Sequence, residues 1–311
     1  MTINETLKKN YLKLSKITKD PAFEAEFLLA HILQKPREFI LAHPEKKLTE
    51  TQITKYNKLI SRRAKGEPIA YLVGYKYFYG NKFLVNKNVL VPRPETEMMV
   101  DSIFNLQSSI SNYIIIDVGA GSGCVVISVA KQAKNLKLKI SSFVPRDGTS
   151  ADKKNLKFLG IDISAKALTV AKKNAKLNHL EKNIKFLQGN LLEPILKNSK
   201  FKIQNSKFII CANLPYIWKA WKNNCSMNTI GLKFEPAIAL YTEENGLKLY
   251  RELFEQVKKL KLLCATCYLL CEIDPRQKNL MKKLIKTELP TAKTTIKKDL
   301  AGNNRLVEIE L

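Results

Sequence analysis

Residues 113–130 constrain the fold of this chain more than any other stretch. They open on Tyr113, Ile114, Ile115, Ile116, Asp117 and Val118, a short β-branched run of the kind that forms a strand buried on both faces. They close on 124–130, which is apolar enough to continue as a buried helix. Between the two, Gly119, Gly121 and Gly123 let the backbone turn tightly and approach a ligand with no Cβ in the way. A strand, a glycine turn and a helix N-terminus in that order build a nucleotide-type binding corner at the carboxyl edge of a sheet.

The glycine spacing narrows the ligand. A dinucleotide fingerprint runs G-x-G-x-x-G, whereas here the third glycine comes one residue early, and no Gly-Lys-Ser/Thr follows to cradle a triphosphate. The compact form after an acidic strand end, Gly119, Ala120, Gly121, Ser122 and Gly123, resembles the first motif of S-adenosylmethionine-dependent methyltransferases.

Residues 1–74 read as helices only. Thr2 with Glu5 forms a capping box, Asp20 stands as N-cap before Pro21, and Thr49 with Gln52 caps a third helix that ends at Gly66. On the second helix Phe23, Phe27, Ala30 and His31 are expected to share one face. This unit carries no chemistry of its own and reads as a docking module. Residues 75–91 turn aromatic and β-branched around Tyr79 and Gly80, the pattern of a β-hairpin linker. From 92 to 311, strands at 158–162, 184–188, 208–212, 268–272 and 306–311 alternate with helices at 166–177, 244–260 and 277–289, which gives an α/β sheet. A further helix is expected from about 95 to 105. Segments 135–156 and 196–207 have no period and read as solvated loops.

Asp162 closes the strand after the glycine corner, where an acidic side chain can bind both hydroxyls of a ribose. Asn190 and Leu191 follow the next strand and could flank an adenine. Asn213, Leu214, Pro215 and Tyr216 end a strand at the same sheet edge. A carboxamide, a rigid proline and an aromatic ring suit a planar substrate bearing an NH2 group, whose lone pair is delocalised and weakly nucleophilic. The Asn213 side-chain oxygen and the Leu214 carbonyl would accept its two N–H bonds and stabilise the charge that develops as a methyl arrives, with Tyr216 stacked on the planar group.

With these motifs in place, the chain resembles the protein-(glutamine-N5) methyltransferases that modify class-I peptide chain release factors. The resemblance is carried by Gly66 to Leu72, by Arg93, Pro94, Glu95, Thr96 and Glu97, and by the glycine corner. Asp162, Ile163 and Ser164, the Asn213–Tyr216 motif, Phe234, Glu235 and Pro236, and Asp299 with Gly302 and Arg305 complete it. It implies a small helical N-terminal domain, a hairpin, and a seven-stranded, Rossmann-like methyltransferase sheet whose last strand is antiparallel. It implies that Gly119 to Gly123, Asp162, Asn190, Leu191 and Asn213 contact S-adenosyl-L-methionine. It further implies that Asn213 to Tyr216 hold the glutamine of a Gly-Gly-Gln motif, with the release factor docked partly by the helical domain. Two departures stand out. The family usually reads Asn-Pro-Pro-Tyr, but Leu214 occupies the second place and adds an N–H, and Asn190 stands where Asp is common.

Asn-Leu-Pro-Tyr is also the form seen in ribosomal RNA adenine dimethyltransferases, and a formal net charge of +25, mostly from lysine, would suit RNA. Those enzymes lack the Arg-Pro-Glu-Thr-Glu motif and the helical N-terminal unit, so the protein substrate is favoured and direct nucleic-acid binding is not required. A non-catalytic docking protein that keeps the fold is a third reading, opposed by the intact glycines, Asp162 and Asn213. No basic start with an apolar core opens the chain and no run is long enough for a bilayer, so it reads as cytoplasmic, and a monomer is expected. Cys124, Cys211 and Cys271 lie in apolar runs. Cys264 and Cys267 form a single C-x-x-C without a second pair at zinc spacing, so no metal is expected.

Overall fold

The computed structural model describes residues 1–106, 113–140, 156–197, 206–218, 220, 230–262 and 264–311. They form two compact units: Met1–Tyr75 together with 230–234, and the rest of the described chain from Lys76 onward.

The first unit is helical. α1 (Ile3–Leu14) opens on the capping box, with Thr2 N–H donating to Glu5 Oε2 (2.8 Å) and Glu5 N–H to Thr2 Oγ1 (3.2 Å). α2 (Pro21–Leu33) and the short α3 (Arg37–Ala42) lead to α4 (Glu50–Ala64), which opens on the Thr49–Gln52 box, and to α5 (Ile69–Val73). Leu7, Leu14, Leu28, Leu29, Tyr56 and Ile60 share its core. Two expectations for α2 are corrected. The Asp20 side chain makes no capping bond, so proline at the first turn marks the start by itself. Its buried face holds Ala30 as expected, together with Ala25, Leu28 and Leu29, while Phe23 is half exposed and stacks on Phe27 with the Arg37 guanidinium over its ring. Gly66 has φ +98°, and a Cβ there would lie 2.6 Å from Ile230 Cγ2, which lets residues 230–234 pack against this helical unit.

In the second unit, β1 (Tyr75–Phe78) and β2 (Asn81–Leu84) form a two-stranded ribbon around Tyr79 and Gly80. The main sheet has seven strands: β3 (Tyr113–Val118), β4 (Lys157–Asp162), β5 (Ile184–Gln188), β6 (Lys207–Ala212), β9 (Thr266–Glu272), β10 (Lys293–Lys298) and β11 (Asn304–Glu310). The short β7 (Ile217–Trp218) and β8 (Tyr241–Thr242) pair separately, and helices α8 (Ala165–Leu177) and α9 (Glu193–Leu196) follow β4 and β5. The order across the sheet is β10-β11-β9-β6-β3-β4-β5. β5, β4, β3, β6 and β9 run parallel, and β11 is antiparallel to both of its neighbours. This is the expected seven-stranded arrangement. Every residue of β3 is buried. Ile114, Ile116 and Val118 pack on one face with α10 (Lys248–Lys261) and α11 (Lys278–Glu288). Tyr113 and Ile115 pack on the other face with α6 (Glu97–Asn105) and α7 (Cys124–Asn135). That alternation is why the strand reads as continuously apolar.

Strand β10 was not anticipated. Its sequence, Lys293 to Lys298, is an exposed edge with four exposed positions and no apolar alternation. α10 begins at Lys248 instead of 244, because Asn245 and Gly246 take left-handed conformations (φ +55° and +81°) that no helix can contain. The expected loops at 135–156 and 196–207 fall largely on residues 141–155 and 198–205, outside the described residues. From β3 the chain crosses to β4 and β5 and then returns to β6 on the opposite side of β3. The carboxyl ends of β3 and β6 therefore diverge at a topological switch point, the place where open α/β sheets bind ligands. Among the described residues no helix is long and apolar enough to cross a membrane.

Candidate active site

A cavity of about 680 Å³ lies at that switch point, within the second unit. Its size falls in the range of ligand pockets, about 300–1,000 Å³. The glycine corner forms one wall. Gly119 N–H and Ala120 N–H both donate to Ile161 O (2.8 and 2.9 Å), and Gly123 N–H donates to Ala120 O (2.7 Å), so the loop is stapled to the end of β4. Gly119 has φ +73°, and a Cβ on it would lie 3.2 Å from Leu214 Cδ2, between the loop and the end of β6. Ser122 lines the same wall.

Asp162 joins the loop to the next helix. Its Oδ2 accepts Gly121 N–H and its Oδ1 accepts Ser164 N–H, both at 2.8 Å, and each oxygen keeps a lone pair for a ligand. Burial raises its carboxyl above the ordinary value, against the pull of those two bonds. Asn190 and Leu191, after β5, also line the cavity. Leu191 has φ +50°, an uncommon conformation for a non-glycine residue, and the following Leu192 N–H is fixed by Gln256 Oε1 of α10 (2.6 Å).

A second carboxylate in the wall was not singled out from sequence. Asp117, the acidic end of β3, is buried and accepts Val126 N–H (3.2 Å), and burial pushes its carboxyl up to about 7. Between its ordinary value of 3.8 and that of the folded state, the folded protein holds a proton that the unfolded chain has lost. Stability from this group is therefore lost as pH rises from about 4 to about 7, and is level above that. Asp117→Asn keeps an acceptor for Val126 and removes the loss. Its stability relative to the native protein should improve by at least about 1 kcal/mol between about pH 5 and about pH 8, measured by urea unfolding. An unchanged difference at the two pH values would count against it.

Asn213, Leu214 and Pro215 bring the end of β6 to the cavity. The Asn213 Nδ2 donates to Thr96 Oγ1 (3.0 Å), and the Thr96 hydroxyl donates to Glu272 Oε2 (2.7 Å) at the end of β9. A hydroxyl that has spent its hydrogen on a carboxylate can only accept, so the Asn213 amide turns its NH2 to Thr96. Among the described residues nothing donates to its Oδ1. The N–H that Leu214 has and a proline would lack is taken up by the Tyr250 hydroxyl (3.4 Å), which in turn donates to the Glu272 carbonyl.

Tyr216 is not brought to the cavity. It is buried behind the segment, its carbonyl accepts Gln277 Nε2 (3.4 Å), and burial pushes its hydroxyl well above the phenol range. The rings at the wall are Trp218, in β7 (Ile217–Trp218), and Tyr241, in β8 (Tyr241–Thr242). Arg93 and Thr96 of the Arg-Pro-Glu-Thr-Glu motif and Pro236 of the Phe-Glu-Pro motif also line the cavity. Glu235 is buried, accepts Val91 N–H (2.9 Å) through one oxygen and pairs with Arg93 through the other. Among the described residues, the acidic side chains at the wall are Asp117, Asp162, Glu243 and Glu252, and the cations are Arg93 and Lys248. Among the described residues no group of three His, Cys, Asp or Glu side chains is placed to hold a metal ion.

Residues 5–74 match the family described as PrmC N-terminal domain, and residues 109–304 match a methyltransferase domain family. A release factor glutamine methyltransferase of Flavobacterium psychrophilum is 32% identical over 303 residues, covering 95% of this chain and 94% of that protein. One from Buchnera aphidicola subsp. Baizongia pistaciae is also 32% identical, covering 90% and 88%. A bifunctional methyltransferase of Rickettsia bellii is 31% identical along 100% of this chain but 55% of its own length, so the chain spans just over half of such relatives. Among solved structures, the hMettl16 catalytic domain in complex with MAT2A 3'UTR hairpin 1 superposes with a TM-score of 0.53 at 12% identity, covering 91% of this chain and 90% of that one, which shows a shared fold.

Proposed function

The chain belongs to the release factor glutamine methyltransferase family, and from that premise we propose that it methylates the side-chain amide nitrogen of the glutamine in the Gly-Gly-Gln motif of a class-I peptide chain release factor. The observation that carries this reading is the orientation of Asn213, whose Nδ2 donates one hydrogen bond to Thr96 so that its oxygen is the acceptor left for the cavity.

The cavity fits S-adenosylmethionine. Its glycine wall gives up space that a Cβ at Gly119 would take, it ends on a strand-terminal carboxylate, and its lining is rich in carboxylates. Gly119, Ala120, Gly121, Ser122 and Gly123 would hold the methionyl part, Asp162 the ribose, Asn190 and Leu191 the adenine, and Asn213 the reacting end. Bound there, the cofactor supplies an electrophilic methyl group on a sulfonium. The remaining work falls to this chain's own residues. Asn213 Oδ1 and the Leu214 carbonyl accept the two N–H bonds of the substrate amide, which stabilises positive charge on a nitrogen whose lone pair is otherwise delocalised. Pro215 limits the freedom of the segment that carries both acceptors. Trp218 takes the place beside the planar amide that sequence reasoning gave to Tyr216, while Tyr216 supports the segment from behind.

Residues 1–74 dock the release factor, 75–91 link the two parts and 92–311 carry the reaction, with the protein acting as a cytoplasmic monomer. The test offers isotope-labelled cofactor with a release factor, with the same factor lacking the Gly-Gly-Gln glutamine, and with ribosomal RNA. Label should enter the first alone. Label in the RNA, or equal label in both proteins, would overturn the reading.

A further inference from the structure

Thr96 and Glu272 lie far apart in sequence from Asn213, yet the three are joined by two hydrogen bonds (3.0 and 2.7 Å) that end on a carboxylate only 1% exposed. We propose that Glu272, acting through Thr96, sets which end of the Asn213 amide faces the cavity, so that both are positioning residues for the methyl transfer. The inference rests on the reading of the cavity given above.

The direction of the chain follows from which atoms own hydrogens. An ionised Glu272 can only accept, which commits the Thr96 hydrogen to it, leaves Thr96 Oγ1 as an acceptor, and holds the Asn213 NH2 toward Thr96 with Oδ1 toward the substrate. A protonated Glu272 can itself donate to Thr96. The Thr96 hydrogen is then free to point at Asn213, and the amide can reverse, presenting N–H groups to the N–H groups of an incoming amide. The competent state is therefore the ionised one. The surroundings of Glu272 keep this choice open near neutrality. Burial opposes its charge, as does Glu95, whereas the Thr96 bond, Arg305 and Arg93 favour it. The Tyr216 and Tyr250 hydroxyls and the Cys124 thiol also face it and stay neutral, each pushed up by burial. The carboxyl is raised to about 7. Without this chain Asn213 would have two near-equivalent orientations, only one of them useful.

The test uses the full chain in three variants. Thr96→Val keeps the shape and removes the hydroxyl, Thr96→Ser restores it, and Glu272→Gln removes the titration. Thr96→Val should lower kcat by about tenfold or more with KM for release factor and cofactor within about threefold, and Thr96→Ser should recover most of the loss. The native kcat should rise with pH through an apparent pKa at or below about 7, a limb missing from Glu272→Gln. A readout independent of turnover is the Asn213 side-chain amide resonance, followed from about pH 6 to about pH 8. It should shift with Glu272 in the native protein and stay level in Glu272→Gln. Turnover within about twofold in a folded Thr96→Val, or an Asn213 resonance that does not respond to pH in the native protein, overturns the proposal. If Thr96→Val fails to fold, Thr96→Ser and Glu272→Gln decide by the resonance. A native protein that methylates no release factor would refute the assigned substrate, while the resonance still tests the relay.

Discussion

Asn213→Ala is expected to lower kcat by about a thousandfold, with affinity for S-adenosylmethionine within about tenfold. In the proposed mechanism the asparagine oxygen accepts from the substrate amide, and its contribution grows as the substrate nitrogen gains positive charge. Its loss therefore falls mainly on the transition state. The Asn213 amide gives Thr96 one donor, and Thr96 keeps its bond to Glu272 without it, so the fold should hold. Steady-state rates against a release factor, with cofactor affinity measured separately by calorimetry, check both halves. Turnover within about tenfold of the native enzyme would remove Asn213 from the chemistry.

Gly246→Ala should cost at least about 3 kcal/mol of stability and in the limit prevent folding. Gly246 sits at φ +81°, and a Cβ there would lie 2.1 Å from Tyr216 O and 2.4 Å from Gln277 Nε2. Neither neighbour can give way cheaply. The first is backbone directly behind the Asn213–Pro215 segment, and the second is held by bonds to Asn245 O (2.9 Å) and Tyr216 O (3.4 Å). Gly302→Ala supplies the control, since Gly302 has nearly the same φ, +83°, and nothing within 4 Å of the added carbon. That variant should lose only the backbone strain, about 1 kcal/mol. Urea unfolding of the two proteins separates steric cost from conformational cost, and equal losses would mean the space around Gly246 is less filled than described.

How much of this could be read from residues alone depended on how local each signal was. The β3–glycine–α7 corner was legible because a buried strand, three closely spaced glycines and an apolar helix start fall within eighteen consecutive residues. The hydrogen bonds that orient Asn213 join residues 117 and 176 positions apart, a distance no local pattern reports. Motif resemblance did mark Thr96, but gave no hint that its hydroxyl meets the asparagine. Tyr216 does not line the cavity and Trp218 does, because a tyrosine after proline reads as the exposed ring until the packing of Gln277 and Gly246 behind it is known. β10 escaped because an edge strand covered with lysine carries no apolar period. In α2 apolar residues occur around much of the helix, and its partners α1 and α4, not its own periodicity, select the buried face.

The most direct measurement is fragmentation mass spectrometry of a class-I release factor after incubation with the enzyme and S-adenosylmethionine. A single methyl group should appear on the side-chain nitrogen of the Gly-Gly-Gln glutamine, and it should be absent when the Asn213→Ala enzyme is used. A methyl group on any other residue, or full methylation of that glutamine by Asn213→Ala, would contradict the account.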